Sequence, residues 1–496
     1  MSDELLAASA QEIVRRIVEG DCSAEALVTA SLARARRLAG LNAVVSLDAQ
    51  GALDAARCID IRRRAGEPLP PLAGLPLLAK DNIASAALPT TAATPALRDF
   101  RTKGNAPSLQ HLMDAGAILL GKANLHEMAS GTTCVHRLAN PGSVRNPHAP
   151  ECIAGGSSGG NAAAIAAGIV ACGLGTDTGG SLRIPAALTG IVGFRPSHHP
   201  SSRTCRYNSH GFLPISPRHD TVGPMARTVA DIRLLDDVLS GMPRLAPTPT
   251  PRGLRLGIAS WFWSALDGES RRPLTRALER LTDAGVELVE IELDRLGELN
   301  ARVSPIINLH EPLTSIPRFL QTFGLDEDNR RITLEEIVTQ VACDDVRALL
   351  ERTLSREQAN AYPSAIHHSP ALTSYLQHSF KTHRLEALCI PTTLIAARPL
   401  VTPDSEQLVI GGHHVSRFEA YIRNTTPLSS AGLPSLSLPA GTTDSGLPVG
   451  LELCAPLGED DRLLALATAL EPLLEAPPET DLAHLVNELE GGTVTP

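Results

Sequence analysis

CIAGGSSGGNAAAIAAGIVACGLGTDTGGSLRIPAALTGIVGFRPS, residues 152–197, places two Gly-Gly-Ser turns at either end of an alanine-rich helical run. The turns offer hydroxyls at Ser157, Ser158 and Ser181. Glycines ahead of Ser181 let the backbone bend tightly and turn amide N–H groups outward, as stabilising a tetrahedral oxyanion requires. The amides of Thr178, Gly179, Gly180 and Ser181 are therefore the expected oxyanion hole. Asp177 and Arg183 flank the turn closely enough to form an ion pair that shapes it, and Ser158 is expected either to join the hydrogen-bond network or to cap the following helix.

Serine is a weak nucleophile at neutral pH and needs a base within hydrogen-bond reach. Lys80 ends the apolar run AGLPLLA and begins KDN, so its stem is expected to be buried, and burial lowers a lysine pKa toward values at which the neutral amine accepts a proton. Other readings of the glycine-rich turns are weaker. GGSSGG by itself would pass for a flexible linker. Gly155–Gly159 fits G-x-S-x-G, but a nucleophile elbow needs a preceding strand and Pro150 and Glu151 point to a loop. No Gly-Lys-Ser/Thr follows the glycines, as a phosphate-binding loop would demand.

GLPLLAKDNI (74–83), AGGSSGGNAAA (154–164), GTDTGGSLRIPAA (175–187), GFRPS (193–197) and DTVGPMART (220–228) together resemble the amidase-signature family, and the resemblance runs nearly the length of the chain. It implies one amidase domain over 1–496 with an α/β fold, a large mixed β-sheet covered by helices on both sides. Within it, 1–70 would be an N-terminal helical layer, 71–240 the core that carries the catalytic residues, and about 300–420 a helical or variable cap adding to the substrate pocket. By motif position Ser181 is the implied nucleophile, Ser157 the bridging serine in a cis peptide and Lys80 the terminal base, with Ser158, Asp177 and Arg183 in support. KANLHEMASG (122–131) and RNTTPLSSAGLPSLSLPAG are most similar to bacterial hydrolases of arylacetamide type, such as indoleacetamide and mandelamide hydrolases. The implied reaction is hydrolysis of a small amide through an acyl-enzyme. Carbamates and esters are alternative substrates, and the amidase subunit of a glutamine-dependent tRNA amidotransferase is the runner-up. SRTCRYNSHGFLP (202–214) and the stretch near Met128 are expected pocket walls, with Met128, Ser130, Gly131, Tyr207 and Phe212 lining them.

Bulk composition fits this picture. The 496 residues carry a net charge of -10, which argues against nucleic acid as a partner, and 43% hydrophobic with 20% charged residues is ordinary globular composition. Nine scattered cysteines without a C-x-x-C pair read as reduced core thiols, and no cofactor or metal is expected. The histidine pairs 198–199, 367–368 and 413–414 lack a third ligand at zinc-like spacing and are expected in surface loops. MSDELLAASAQEIVRR lacks a signal-peptide layout, and Ala162–Leu174 is too short and too rich in Ala and Gly to span a bilayer. A cytoplasmic protein acting on a small molecule, without a membrane partner and with a homodimer left open, is the expectation.

Outward from the motif, helices are expected near Ala10–Glu19 and after Ser23, with Val28, Leu32, Ala35 and Ala39 on one face. Short apolar runs at 76–79, 117–121 and 190–193 read as strands, 252–294 as strand, helix, strand, and 300–385 as helices. SLSLPAG and PVGLELCAP return to strand before a helix from Asp460 to Leu474.

Overall fold

The structure is a computed structural model that describes residues 2–136, 142–199, 204–242, 246–402, 407–410 and 412–491. Its centre is one mixed sheet of 11 strands. In chain order these are β1 (Val44–Leu47), β2 (Pro76–Lys80), β3 (Ile118–Ala123), β4 (Cys172–Asp177), β5 (Val192–Arg195), β6 (Thr221–Ala226), β7 (Arg255–Ala259), β8 (Glu287–Ile291), β9 (Ala387–Pro391), β10 (Ser435–Thr442) and β11 (Pro448–Cys454). Across the sheet they run β1-β3-β2-β4-β6-β5-β10-β11-β9-β7-β8. The central strands read as unbroken apolar runs because helices cover both faces: every residue of β2, β3 and β4 is buried. β8 lies at the edge and instead exposes Glu287 and Glu290, charges that discourage edge-to-edge pairing with another chain.

The helical layer on the amino-terminal side follows from its caps. α1 (Ala10–Glu19) starts at Ser9, whose Oγ accepts the Glu12 amide, and stops at Gly20 in the left-handed region. It buries Ala10, Ile13 and Ile17. α2 (Ala24–Arg37) starts at Ser23, whose Oγ accepts the Ala26 amide at 3.1 Å. Val28, Leu32 and Ala35 face the core as the spacing predicts, whereas Ala39 lies past the helix end and is exposed, so Leu38 takes the last buried position. α3 (Gly159–Ala166) and α4 (Arg183–Thr189) follow the two serine-bearing turns, and α5 (Gly268–Asp283) joins β7 to β8.

Residues 296–383 are helical as expected, ending in α6 (Asp344–Leu354) and α7 (Tyr362–His383). The expected extension of this cap to about 420 needs correcting, because Ala387–Pro391 is β9, a buried strand of the main sheet. The cap has its own apolar cluster, in which Phe100 meets Phe319 at 5.9 Å between ring centroids. α8 (Asp460–Leu470) packs against the sheet and is followed by a 3-10 turn at Glu471–Leu473 and a last described helix, Leu482–Gly491. The three histidine pairs are not in loops: 198–199 and 413–416 are strands, and His367 and His368 lie in α7. Among the described residues no group of His, Cys, Asp and Glu could hold a metal ion, and no helix is long and apolar enough to cross a membrane. None of the nine cysteines forms a disulfide, and Cys58 and Cys205 are exposed rather than in the core.

One close approach fixes how α3 sits on the sheet. A Cβ added at Gly160 would lie 2.3 Å from the Asn124 carbonyl oxygen and 2.6 Å from that of Ala43, both backbone atoms that cannot move aside cheaply. Gly160→Ala should therefore cost about 1–3 kcal/mol of stability through overpacking. A chemical denaturation midpoint equal to that of the parent protein would contradict this packing.

Candidate active site

Strand register brings the first pair of groups together. β2 runs parallel to β4 with Ala79 opposite Leu174, so the next residue of β2, Lys80, emerges beside the end of β4 and meets Thr176. The amine is wholly buried. Its Nζ lies 2.7 Å from Ser157 Oγ, 2.8 Å from Thr176 Oγ1 and 3.4 Å from the Thr176 carbonyl oxygen. Burial lowers its pKa to about 7, against the weaker opposing pull of Cys134, Asp177 and Asp220. A neutral amine fits this surround: two N–H bonds donate to the two Thr176 oxygens, and the lone pair is left for the Ser157 hydroxyl.

The turn ahead of α3 presents the serines. The Gly156–Ser157 peptide is cis, and Ser157 is buried. Ser158 occupies the N-cap position of α3 without making a side-chain cap bond. Its hydroxyl instead donates to the Thr176 carbonyl at 3.2 Å, so of its two expected roles it takes the network one. The strand objection to the elbow reading also needs correcting. Ala149–Ile153 is a short strand paired with Arg145–Asn146, and it tolerates Pro150 because the pairing is only a two-residue edge. What separates this turn from an elbow is that the buried Ser157 hydroxyl meets a lysine amine and not an imidazole.

The second turn is built around a buried carboxylate. Asp177 accepts the amides of Gly180 at 2.9 Å and Leu182 at 3.1 Å, and pairs with Arg183 at 3.1 Å and Arg195 at 3.0 Å. Burial alone would raise its pKa, but the two guanidinium groups override that and hold it well below the usual carboxylate range. Arg183 also reaches Glu452 at 2.6 Å and Ser429 Oγ at 2.6 Å. Gly180 adopts φ 137°, which favours glycine, and a Cβ there would lie 2.2 Å from Thr425 Oγ1. Because its amide is engaged by Asp177, Gly180 is a poor candidate for the expected oxyanion hole, and the candidates narrow to the amides of Thr178, Gly179 and Ser181. Thr178 is fixed from outside by Asp220, whose Oδ1 accepts its hydroxyl at 2.5 Å and whose pKa burial raises to about 7. Ser181 is only partly buried, unlike Lys80 and Ser157, and its carbonyl accepts the Ser158 amide at 3.2 Å, which ties the two turns together.

The five expected lining residues scatter. Met128 packs in the cap cluster with Phe100, Leu213 and Phe319. Ser130 is half-buried and donates to the Met128 carbonyl at 3.1 Å, and Gly131 lies against the His126 ring. Phe212 forms a bridge with Ile83, just beyond Lys80. Tyr207 is a core residue, with its ring edge-on to Phe194 at 6.4 Å and its hydroxyl 2.5 Å from Asp236. Thr176, Asn82, Asp220, Thr425, Ser429 and Glu452 were not singled out from the sequence. Thr176 and Asn82 sit inside motifs read for other residues, and Asn82 Nδ2 donates to Thr176 Oγ1 at 3.1 Å. Thr425 and Ser429 lie inside RNTTPLSSAGLPSLSLPAG, which the sequence marks only as a whole segment, and Glu452 comes from a strand near the far end of the chain where no local pattern marks it.

The Amidase family model matches residues 26–464. An indoleacetamide hydrolase of Agrobacterium vitis is 37% identical over 93% of this chain and 96% of its own length. A mandelamide hydrolase of Pseudomonas putida is 37% identical over 90% of this chain and 88% of its own. Among solved structures, the peptide amidase of Stenotrophomonas maltophilia matches with a TM-score of 0.81 and 28% identity over 96% of this chain and 99% of that one.

Asp177 balances two buried guanidinium groups, and removing its charge takes away the carboxylate that pairs with Arg195. Asp177→Asn is expected to cost about 3–5 kcal/mol of stability, as breaking a buried ion pair does. Urea unfolding monitored by fluorescence measures this, and a loss under about 1 kcal/mol would contradict the assigned role.

Proposed function

We propose, from the premise that this chain belongs to the Amidase family, that it hydrolyses the C–N bond of small aryl or otherwise hydrophobic amides through an acyl-enzyme on Ser181. The observation that carries this reading is the 2.7 Å contact between Lys80 Nζ and Ser157 Oγ in a fully buried site. The relatives named indoleacetamide hydrolase and mandelamide hydrolase support the choice of an aryl-bearing amide.

In this mechanism Ser181 attacks the amide carbonyl as its proton passes to Ser157 and the proton of Ser157 passes to the neutral amine of Lys80. Oxyanion charge is met by the amides of Thr178, Gly179 and Ser181, held in place by Asp177 and Asp220. The relay then returns a proton to the departing amine. Water repeats the attack on the ester of Ser181 and releases the acid. Thr176 orients the Lys80 amine, and Ser158 ties the first turn to β4. The same chemistry would open a small carbamate or an ester, so these stand as alternative substrates. A cytoplasmic location belongs to the same reading and is supported by nine cysteines of which none is in a disulfide.

Ser181→Ala should abolish labelling by a fluorophosphonate probe, and Lys80→Ala or Ser157→Ala should each lower kcat by about 10²–10⁴-fold. Near-normal turnover by any one of the three would contradict the reading. Phenylacetamide, indoleacetamide, mandelamide and a small carbamate, compared by kcat/KM, decide the substrate class.

The lysine pKa is depressed, so the neutral base is scarce below about pH 7 and abundant above it. The acylation rate should therefore rise through that pH and level off on the alkaline side. A flat profile between about pH 5 and 9 would contradict a lysine base.

A further inference from the structure

The carbonyl of Ser157 is held by a turn of its own. The His126 amide donates to it at 3.1 Å, and the Cys134 thiol points at it from 3.5 Å. Both ends of this turn meet at the His126 ring, whose Nδ1 accepts the Cys134 amide at 3.1 Å. An acceptor at Nδ1 puts the ring hydrogen on Nε2, which lies 3.1 Å from Asp345 Oδ2 in the first turn of α6. The neighbouring Glu127, fully buried, accepts the amides of Ala342 at 3.1 Å and Cys343 at 2.7 Å, so it binds the amino-terminal end of the same cap helix. Between these anchors Met128, Ala129 and Cys134 all have φ between 55° and 58°, a region that non-glycine residues keep only where their surroundings enforce it. The ring fills the centre of the turn: a Cβ on Gly131 would come within 2.2 Å of His126 Nε2.

We propose that His126 is a positioning residue for Ser157, and that Asp345 of the helical cap is the anchor that holds its ring. The inference rests on the reading of Ser157 as the bridging serine. The Ser157 hydroxyl has to face Lys80 and Ser181 at once, and small misplacements of a relay group are costly in rate. His126 fixes the backbone that carries that hydroxyl without touching the reacting atoms. A cap that is distant in sequence is thereby joined to the proton relay, and the contact would act on kcat rather than on substrate affinity.

The test compares Asp345→Ala, Asp345→Asn, His126→Ala and Ser157→Ala in the full chain by phenylacetamide hydrolysis and by the rate of fluorophosphonate labelling of Ser181. Asp345 is about one-third exposed, so its variants are expected to fold even if His126→Ala does not. Asp345→Ala should lower kcat and the labelling rate about 10-fold, and His126→Ala more, with KM within about twofold of the parent. Asp345→Asn, which still accepts the Nε2 hydrogen, should recover most of the loss. Three results would overturn the inference: parental kcat in Asp345→Ala, a loss confined to KM, or an Asn variant as impaired as the Ala one. If Ser157→Ala is inactive while Asp345→Ala is normal, this inference alone fails. If Ser157→Ala is itself active, the relay reading fails and takes the inference with it.

Discussion

A lysine amine buried without a facing carboxylate is the constraint on which the rest of the site depends. Two lysines of this chain are wholly buried, and they differ in one respect. Lys122 Nζ lies 3.0 Å from Asp81 Oδ1, and that pair pins the segment through Pro89 and Thr90. Lys80 has hydroxyl and carbonyl oxygens around it, so burial outweighs the pull of Asp177 and Asp220 and lowers its pKa to about 7. Burial pushes the Lys122 amine down as well, but the Asp81 carboxylate in contact with it pulls the other way, whereas the Lys80 amine is the base of the proposed relay. A carboxylate beside Lys80 would restore the cation and remove the base.

Holding such an amine requires rigid surroundings, and the fold supplies them from distant segments. β2 and β4 set the register that places Lys80 by Thr176. The turn around Ser181 is anchored by Asp177, Arg183, Arg195 and Glu452, four charges that sum to zero within the interior. Thr425 and Thr426 donate to the Gly179 carbonyl from the other side. The cap grips both turns. Glu311 accepts the Ser216 hydroxyl at 2.6 Å and the Tyr362 hydroxyl at 2.8 Å beside the loop that holds Asp220, while Asp345 reaches His126 beneath Ser157.

How much of this was legible in the sequence depends on range. β2 and β3 read directly from PLLA and AILLG because strands covered on both faces become unbroken apolar runs. Ser23 announced α2 through its cap. Lys80 and Ser181 stood out because a lysine ending an apolar strand and a glycine-rich turn are local patterns, whereas Ser157 is told from its neighbour Ser158 only through the family resemblance. Thr176 did not stand out, since its part depends on the pairing of β2 with β4. Nor did Glu452, which meets Arg183 across most of the chain length. Pro150 hid the short strand Ala149–Ile153, and Tyr207 reads as a pocket wall because its segment departs from simple family spacing, whereas its hydroxyl belongs to Asp236.

The chain contains only four lysines, at 80, 103, 122 and 381, and Lys103 and Lys381 are exposed, so each side chain can be followed separately. The most direct test of the account is a pH titration of lysine Cε chemical shifts in 13C-labelled protein, with Lys80→Arg and Lys122→Arg used to assign the two buried signals. The account predicts a Lys80 midpoint near 7. A midpoint near the ordinary lysine value of about 10.4 would mean that the amine stays protonated in the folded protein, and would contradict its role as the base.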